Sequence, residues 1–189
     1  MQFQQAVDHI FQKLTAGLSD LAYHNIDHVK DVYSVVSEIA RQEQVSEEDT
    51  LLLMTAAAYH DAGFLICRAG HEEESCRISK ENLPGFGYNA AQIEKIVGMI
   101  CATRIAQSPK NHLEEILADA DLDYLGRDDF YTTGDKLYQE LLTAGTINDD
   151  KEWHELQIRF LESHHYFTKT SIAKRSAKKK IHLQQIKAK

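Results

Sequence analysis

The sequence predicts an all-α protein built as a single-domain helical bundle. Apolar residues recur at the spacing of one helix face along most of the 189 residues, and no stretch alternates convincingly as a strand would. The chain contains only two prolines, so few helices are interrupted. With 43% hydrophobic residues, a chain of this length can bury about 70% of its unfolded surface in one core.

Two amphipathic helices are predicted at the N-terminus. Gly17 follows the first helix as a stop signal. The apolar stripe of this helix consists of Phe3, Val7, Ile10, Phe11 and Leu14. The apolar face of the second helix consists of Val32, Val36, Ile39 and Ala40.

A polar segment, Tyr23-His24-Asn25-Ile26-Asp27-His28, leads into the second helix. On a helix, His24 and His28 would lie on one face, which is the geometry by which paired histidines hold a metal. The alternative is that one histidine caps the helix and the other is exposed. The density of ligand-type residues in this segment favours the metal interpretation.

The third predicted helix is apolar on all sides, which indicates a central, buried position. Ser46 and Asp49 resemble a capping box at its start, and Gly63 is expected to stop it. His60 and Asp61 would lie at its deep C-terminal end. A buried aspartate is costly without a partner, and a divalent cation is one such partner. Capping or an ordinary buried hydrogen bond is the alternative.

Three further helices are predicted before residue 126, starting at His71, Asn89 and Asn111. His71 would lie near the mouth of any site built by His60 and Asp61. The last of these helices leads into Asp119-Ala-Asp-Leu-Asp123, where aspartates alternate with apolar residues. Like charges packed this closely are destabilising unless something positive neutralises them, so this segment also indicates a cation.

The C-terminal part is predicted to hold two more helices and a basic segment. We expect residues 1–168 to form the main domain and residues 169–189 to form a basic C-terminal helix or tail. That segment has eight Lys or Arg and no acid, whereas all 29 acids precede it. The acidic body argues against a nucleic-acid surface, and the segment is either a solvated helix or a phosphate-attracting arm. No apolar run is long enough for a membrane span, so we expect a cytoplasmic protein.

Together, His28, His60, Asp61 and one aspartate of the 119–123 run supply nitrogen and oxygen ligands without sulfur. Such a set suits Mn²⁺, Fe²⁺, Co²⁺, Ni²⁺, Zn²⁺ or Mg²⁺. In this pattern the sequence resembles the HD-domain superfamily, in which a His, a His-Asp pair and a distant Asp surround one or two metals. The segment from Tyr23 is similar to the opening motif of HD hydrolases and their phosphodiesterase relatives, and the segment from Asp119 to their closing motif.

The resemblance covers roughly residues 20–127 and implies a role for each matching position. His28, His60, Asp61 and Asp121 would be the metal ligands, and His24 would protonate the leaving group. Asp119 or Asp123 would orient ligands or a water.

His71 could contribute to a second metal. However, a later histidine of two-metal members is missing near residues 100–104, so one metal per chain is expected.

The predicted function is that of a metal-dependent phosphohydrolase acting on a nucleotide or another small phosphorylated molecule. Asp61 would accept a proton from the attacking water, and His24 would donate one to the departing oxygen. Three basic residues near the motifs are candidates for binding phosphate: Arg104, Lys30 and Arg127. The alternatives are a ligand-binding or regulatory HD module and an HD-fold di-iron oxygenase. The oligomeric state is left open, with a homodimer as one option.

Overall fold

The computed structural model describes residues 1–188, and in that range it contains α-helices and short 3-10 helices but no strand. This confirms the predicted all-α fold. The α-helices are α1 Phe3–Gly17, α2 Ile26–Gln42, α3 Glu47–Tyr59, α4 His71–Asn82, α5 Ala90–Ala102, α6 His112–Asp121, α7 Phe130–Thr143, α8 Asp150–Ser163 and α9 Lys169–Lys187. The 3-10 helices are Ala62–Leu65, Leu83–Phe86 and Asp123–Gly126. Lys189, the last residue of the predicted basic segment, lies outside the described residues.

Helix α3 is the central element, as its uniformly apolar sequence predicts. Helices α1, α2, α5 and α6 all pack against it, and Leu52, Leu53 and Tyr59 are fully buried. Thr55 is its one polar residue in the apolar run, and the Thr55 hydroxyl lies 2.8 Å from both the Leu51 carbonyl and the Tyr88 hydroxyl. The C-terminal end of α3 therefore lies in the interior of the bundle.

The predicted stop of this helix at Gly63 is wrong by four residues. Helix α3 ends at Tyr59, and Gly63 lies inside the following 3-10 helix. The glycine is needed for a close approach instead, because a Cβ at this position would lie 1.9 Å from the His71 carbonyl oxygen. Gly63 thus lets the start of α4 lie directly against the segment that carries His60 and Asp61.

The basic segment that follows residue 168 forms helix α9, which packs against the 3-10 helix Asp123–Gly126. Arg175 bonds Asp123 at 2.6 and 2.8 Å, and a His182 ring nitrogen lies 2.9 Å from the Leu125 carbonyl oxygen. Lys174 of α9 also pairs with Glu38 of α2 at 2.7 Å. This face of α9 is therefore occupied by intramolecular contacts.

A smaller apolar cluster joins the C-terminal helices to the polar segment before α2. It is formed by Tyr23, Leu122, Tyr124, Leu125, Phe130, Leu161, Tyr166 and Ile186. No helix between residues 1 and 188 combines the length and the apolar character that crossing a membrane requires.

Candidate metal centre

Four side chains from three helical segments converge at one place in the bundle. His28 lies in the first turn of α2, and His60 and Asp61 follow the end of α3. Asp121 is the last residue of α6. Because α2 and α6 pack on α3 and on each other, positions far apart in sequence face a common point.

The ligand-type atoms of this cluster lie close enough to share one ion. The Nε2 atoms of His28 and His60 are 3.4 Å apart, and the Asp121 Oδ1 atom lies 3.2 Å from the first and 3.5 Å from the second. The Asp61 Oδ2 atom lies 3.4 and 3.3 Å from the same two nitrogens. Atoms at about 2.0–2.2 Å from a common cation are separated by about 3–3.6 Å, so these spacings fit a shared ion.

The chemistry of the cluster also fits a cation. Asp61 is 3% exposed, and its Oδ2 atom has no hydrogen-bond partner within residues 1–188. Such an orphaned buried oxygen is costly unless it binds something positive. His28, His60 and Asp121 form a group whose ligand atoms all lie within 4.8 Å of one another and that can hold a metal ion.

The pKa values of the cluster show that its two buried carboxylates depend on neighbouring positive charge. Burial raises the pKa of Asp61, but the neighbouring His60 outweighs burial and holds that pKa below its usual range. For Asp121, burial is likewise outweighed by bonds from His28 and His60, which lower the pKa. Burial lowers the pKa of His60, yet Asp61 and Asp121 together raise it well above its usual range. A divalent cation would take over this compensating role.

His60 is oriented by the backbone of its own helix. Its Nδ1 atom lies 2.8 Å from the Ala57 carbonyl oxygen, which can only accept a hydrogen bond. The proton of a neutral ring therefore sits on Nδ1, and Nε2 faces the cluster with a free lone pair. A histidine that binds a metal through Nε2 requires this tautomer.

His24 lies beside the cluster. The sequence predicts that it shares a helix with His28, and this prediction is wrong. Helix α2 begins at Ile26 because the Asn25 side chain accepts hydrogen bonds from the Asp27 and His28 backbone N–H groups. His24 therefore precedes the helix, with its ring 6.0 Å from that of His28.

Glu140 on α7 holds His24 in place, and no motif in the sequence indicates this pairing. Its Oε1 atom lies 2.6 Å from the His24 Nδ1 atom, and its Oε2 atom accepts the backbone N–H groups of Tyr23 and His24. Burial raises the pKa of Glu140, but the bond and charge of His24 and the two backbone N–H bonds together outweigh burial and lower the pKa to about 2. Glu140 is thus a buried carboxylate that accepts from Nδ1 and leaves Nε2 of His24 available. An acidic residue in the apolar pattern around Leu137 and Leu141 was the available signal.

His71 lies at the edge of the cluster, as predicted from its position at the start of α4. Its Nε2 atom is 3.6 Å from the Asp61 Oδ1 atom. The Phe64 ring stacks on His71 at 4.0 Å and on His24 at 4.3 Å, and the rings of the two histidines are 6.1 Å apart. Both imidazoles border the same cavity.

Asp119 and Asp123 do not orient the ligands, contrary to the role that the resemblance implied. Asp119 accepts hydrogen bonds from the Phe167 and Thr168 N–H groups and from the Thr168 hydroxyl. Asp123 is bound by Arg175, and its Oδ2 atom lies 3.7 Å from Arg127. Residues two apart on a helix point about 200° apart, so Asp121 faces away from both neighbours. Hydrogen bonds from Phe167 and Thr168 therefore satisfy Asp119, and an ion pair with Arg175 satisfies Asp123.

The three candidate phosphate-binding residues do not line the cavity at the metal cluster. Arg104 is exposed and pairs with Glu73. Arg127 is held by Asp31 at 2.8 Å and by Asp129 at 2.6 Å. Lys30 is on the solvent-exposed side of α2. The basic residue that does reach the site network is Arg68, whose Nη1 atom lies 3.5 Å from Glu140 Oε1.

The cluster opens into a cavity of about 280 Å³. Asp61 and Asp121 form one end of its wall together with His24 and His71. Thr103 and Ile105 border it close to the place where two-metal HD proteins would supply a later histidine. A ligand entering the cavity would meet both the metal-binding atoms and the free nitrogen of His24.

Solved structures resemble this chain over nearly its whole length. A predicted HD superfamily hydrolase from an uncultured Thermotogales bacterium matches with a TM-score of 0.65 and 18% identity, covering 98% of this chain and 89% of that one. The chain has the HD-domain fold. YpgQ of Bacillus subtilis, solved in complex with ADP, matches with a TM-score of 0.68 and 18% identity, covering 100% and 95% of the two chains.

The sequence comparisons gave a different result from the structural ones. No family model matches the sequence, and no curated protein matches it significantly. Two observations therefore indicate the HD-domain fold: the spacing of a few sequence motifs and the similarity of the backbone to solved structures.

Proposed function

We propose that this protein is a metal-dependent phosphohydrolase that acts on a nucleotide or another small phosphoester. The observation that carries the proposal is the convergence of His28, His60, Asp61 and Asp121 at the end of a cavity that His24 also borders. The hydrolase description of the Thermotogales protein and the ADP bound to YpgQ support it.

His28, His60, Asp61 and Asp121 would hold one divalent cation. When bound, the cation lowers the pKa of water and neutralises charge on a phosphoryl oxygen. Asp61 accepts the proton that the attacking water loses, since its carboxylate borders the cavity next to the other proposed ligands. His24 donates a proton from Nε2 to the departing oxygen, while Nδ1 stays bonded to Glu140.

Phosphate release with several metals tests this proposal. Purified protein is assayed with nucleotides and simple phosphoesters in the presence of Mn²⁺, Co²⁺, Ni²⁺ or Mg²⁺. We expect hydrolysis with at least one metal and its loss in Asp121→Ala. His154→Ala is the matched control, because this half-buried histidine of α8 lies outside the cavity wall and should leave activity unchanged.

Metal binding without hydrolysis of any substrate would contradict the proposal and favour a ligand-binding module. Oxygen uptake by an iron-reconstituted sample would instead favour an oxygenase. Beyond the four ligands, the cavity wall offers only His24 and His71 as further histidines within the described chain, and His24 is engaged by Glu140.

A further inference from the structure

The cavity continues from the metal cluster into a space with apolar walls between α7, α8 and the 3-10 helix Asp123–Gly126. The residues that form this space, here called the apolar chamber, are Leu125, Leu137, Leu141, Trp153, Leu156 and Phe160. Five of them are only half-buried, although they lie on the inward faces of their helices. Inward-facing apolar surface that protein does not cover is typical of a ligand pocket.

The charged groups of the cavity all lie at its metal-binding end. They are His24, Asp61, His71, Glu72 and Asp121. No Lys or Arg of residues 1–188 contributes to the wall. Recognition of several phosphates in a row normally uses arginine or lysine side chains, and the chamber has none.

We propose that the substrate is a phosphate ester of a hydrophobic alcohol or phenol, with its phosphoryl group at the metal cluster and its apolar part in the chamber. This inference rests on the proposed function and narrows its substrate class. Burial of one CH₂ group in the chamber contributes about 0.8 kcal/mol to the binding free energy, which corresponds to about fourfold in affinity for each methylene. Polyphosphate groups would have to lie against Glu72 and the two aspartates, because Arg68, the basic residue of the site network, is outside the cavity wall and faces Glu140.

Trp153 provides a direct measurement of occupancy, since it is the single tryptophan of the chain and borders the chamber. Tryptophan fluorescence of the full-length Mn²⁺-loaded protein is titrated with alkylphosphonates from methyl to octyl, with phenylphosphonate, and with ADP and ATP. The phosphonates resist hydrolysis, so this titration reports binding alone. We expect the Kd to fall about fourfold per methylene until the chamber is filled.

Comparison of the alkylphosphonates with phenylphosphonate shows whether the chamber prefers an alkyl or an aryl group. Tighter binding of phenylphosphonate than of the hexyl compound, with the same number of carbons, would assign an aryl group. A Kd that does not change with chain length overturns the inference. Binding of ATP or ADP more tightly than octylphosphonate overturns it as well.

Two neighbouring leucines give a matched pair of variants. Leu141 and Leu142 are both half-buried on α7, but only Leu141 borders the chamber. Leu141→Asn should weaken octylphosphonate binding about tenfold and leave methylphosphonate binding unchanged, because it places a polar group against the alkyl chain. Leu142→Asn should leave both unchanged. Equal effects of the two variants on octylphosphonate would overturn the assignment of the chamber.

Hydrolysis of the corresponding alkyl phosphates distinguishes failure of this inference from failure of the proposed function. Chain-length-dependent binding without hydrolysis under any metal would reject the phosphohydrolase and retain the preference of the chamber. Hydrolysis with the same kcat/KM for methyl and octyl phosphate would retain the phosphohydrolase and reject the apolar substrate.

Discussion

The substitution Glu140→Gln separates the orientation of His24 from the binding of metal. The glutamine has nearly the same shape, and its carbonyl oxygen can still accept the Tyr23 and His24 backbone N–H groups that now bind Oε2. Its amide group, however, would donate toward His24 Nδ1, where the carboxylate accepts at 2.6 Å. In neutral His24 the proton would then sit on Nε2 instead of Nδ1. In charged His24 the Nδ1–H group would face the N–H donor of the glutamine amide.

The expected loss of activity follows from the role assigned to His24. Proton donation by a positioned side chain contributes about 10²–10⁴-fold to a rate. We expect Glu140→Gln to lower kcat at least about 100-fold while the affinity for Mn²⁺, measured by calorimetry, stays within about twofold. In a His24→Ala background the same substitution should lower kcat no further. A second loss of similar size in that background would refute the idea that Glu140 acts through His24.

Stability provides an independent measurement on the same variant. Glu140 is 4% exposed, and its pKa is lowered from 4.5 to about 2. At 1.36 kcal/mol per pKa unit, ionisation of this group stabilises the fold by about 3 kcal/mol at pH 7. Because the folded-state pKa is the lower one, this stabilisation is present above pH 4.5 and is lost as the pH falls toward 2. Urea unfolding at pH 7 and pH 3 should show the difference between wild type and Glu140→Gln shrinking at the lower pH.

Four other substitutions and one control test the site and its supports. Asp61→Ala should abolish metal binding and activity, whereas His24→Ala should keep the metal in a calorimetric titration and lose rate; equal metal loss in both would contradict the roles given to them. Gly63→Ala should destabilise the protein by about 1–3 kcal/mol in urea unfolding, because its Cβ would meet the His71 backbone. Gly134→Ala is the control, with ordinary contacts at 3.5 Å and beyond, and should raise stability by up to about 1 kcal/mol. Arg175→Ala should cost about 3 kcal/mol by leaving Asp123 without its main partner, and an unchanged denaturation midpoint would contradict this.

The sequence was sufficient for the fold class and for the convergence of the candidate ligand residues. Periodicity and capping signals such as Asn89 with Gln92, which form a reciprocal capping box, mark helices whose existence depends on local sequence. The positions of His28 and Asp121 followed from motif spacing. The helices depend on residues that are close together in the chain. The positions of His28 and Asp121 depend on the order and spacing of several motifs.

The features that the sequence could not supply depend on contacts between distant segments. Glu140 is 116 residues from His24, and nothing in either local sequence encodes their pairing. The roles of Asp119 and Asp123 were assigned wrongly because the donors that bind them come from Thr168 and Arg175, beyond the motif region. The apolar chamber likewise arises from the relative placement of α7 and α8.

The attachment of α9 to the segment after Asp121 has a consequence for biogenesis. Tyr166, Arg175 and His182 all bind residues 122–125, so this segment lacks these hydrogen-bonding partners until residues 166–182 are available. During synthesis the N-terminal helices emerge first. We therefore expect the nascent polypeptide to bind a cation only after α9 has emerged, and forms truncated before α9 to be metal-poor.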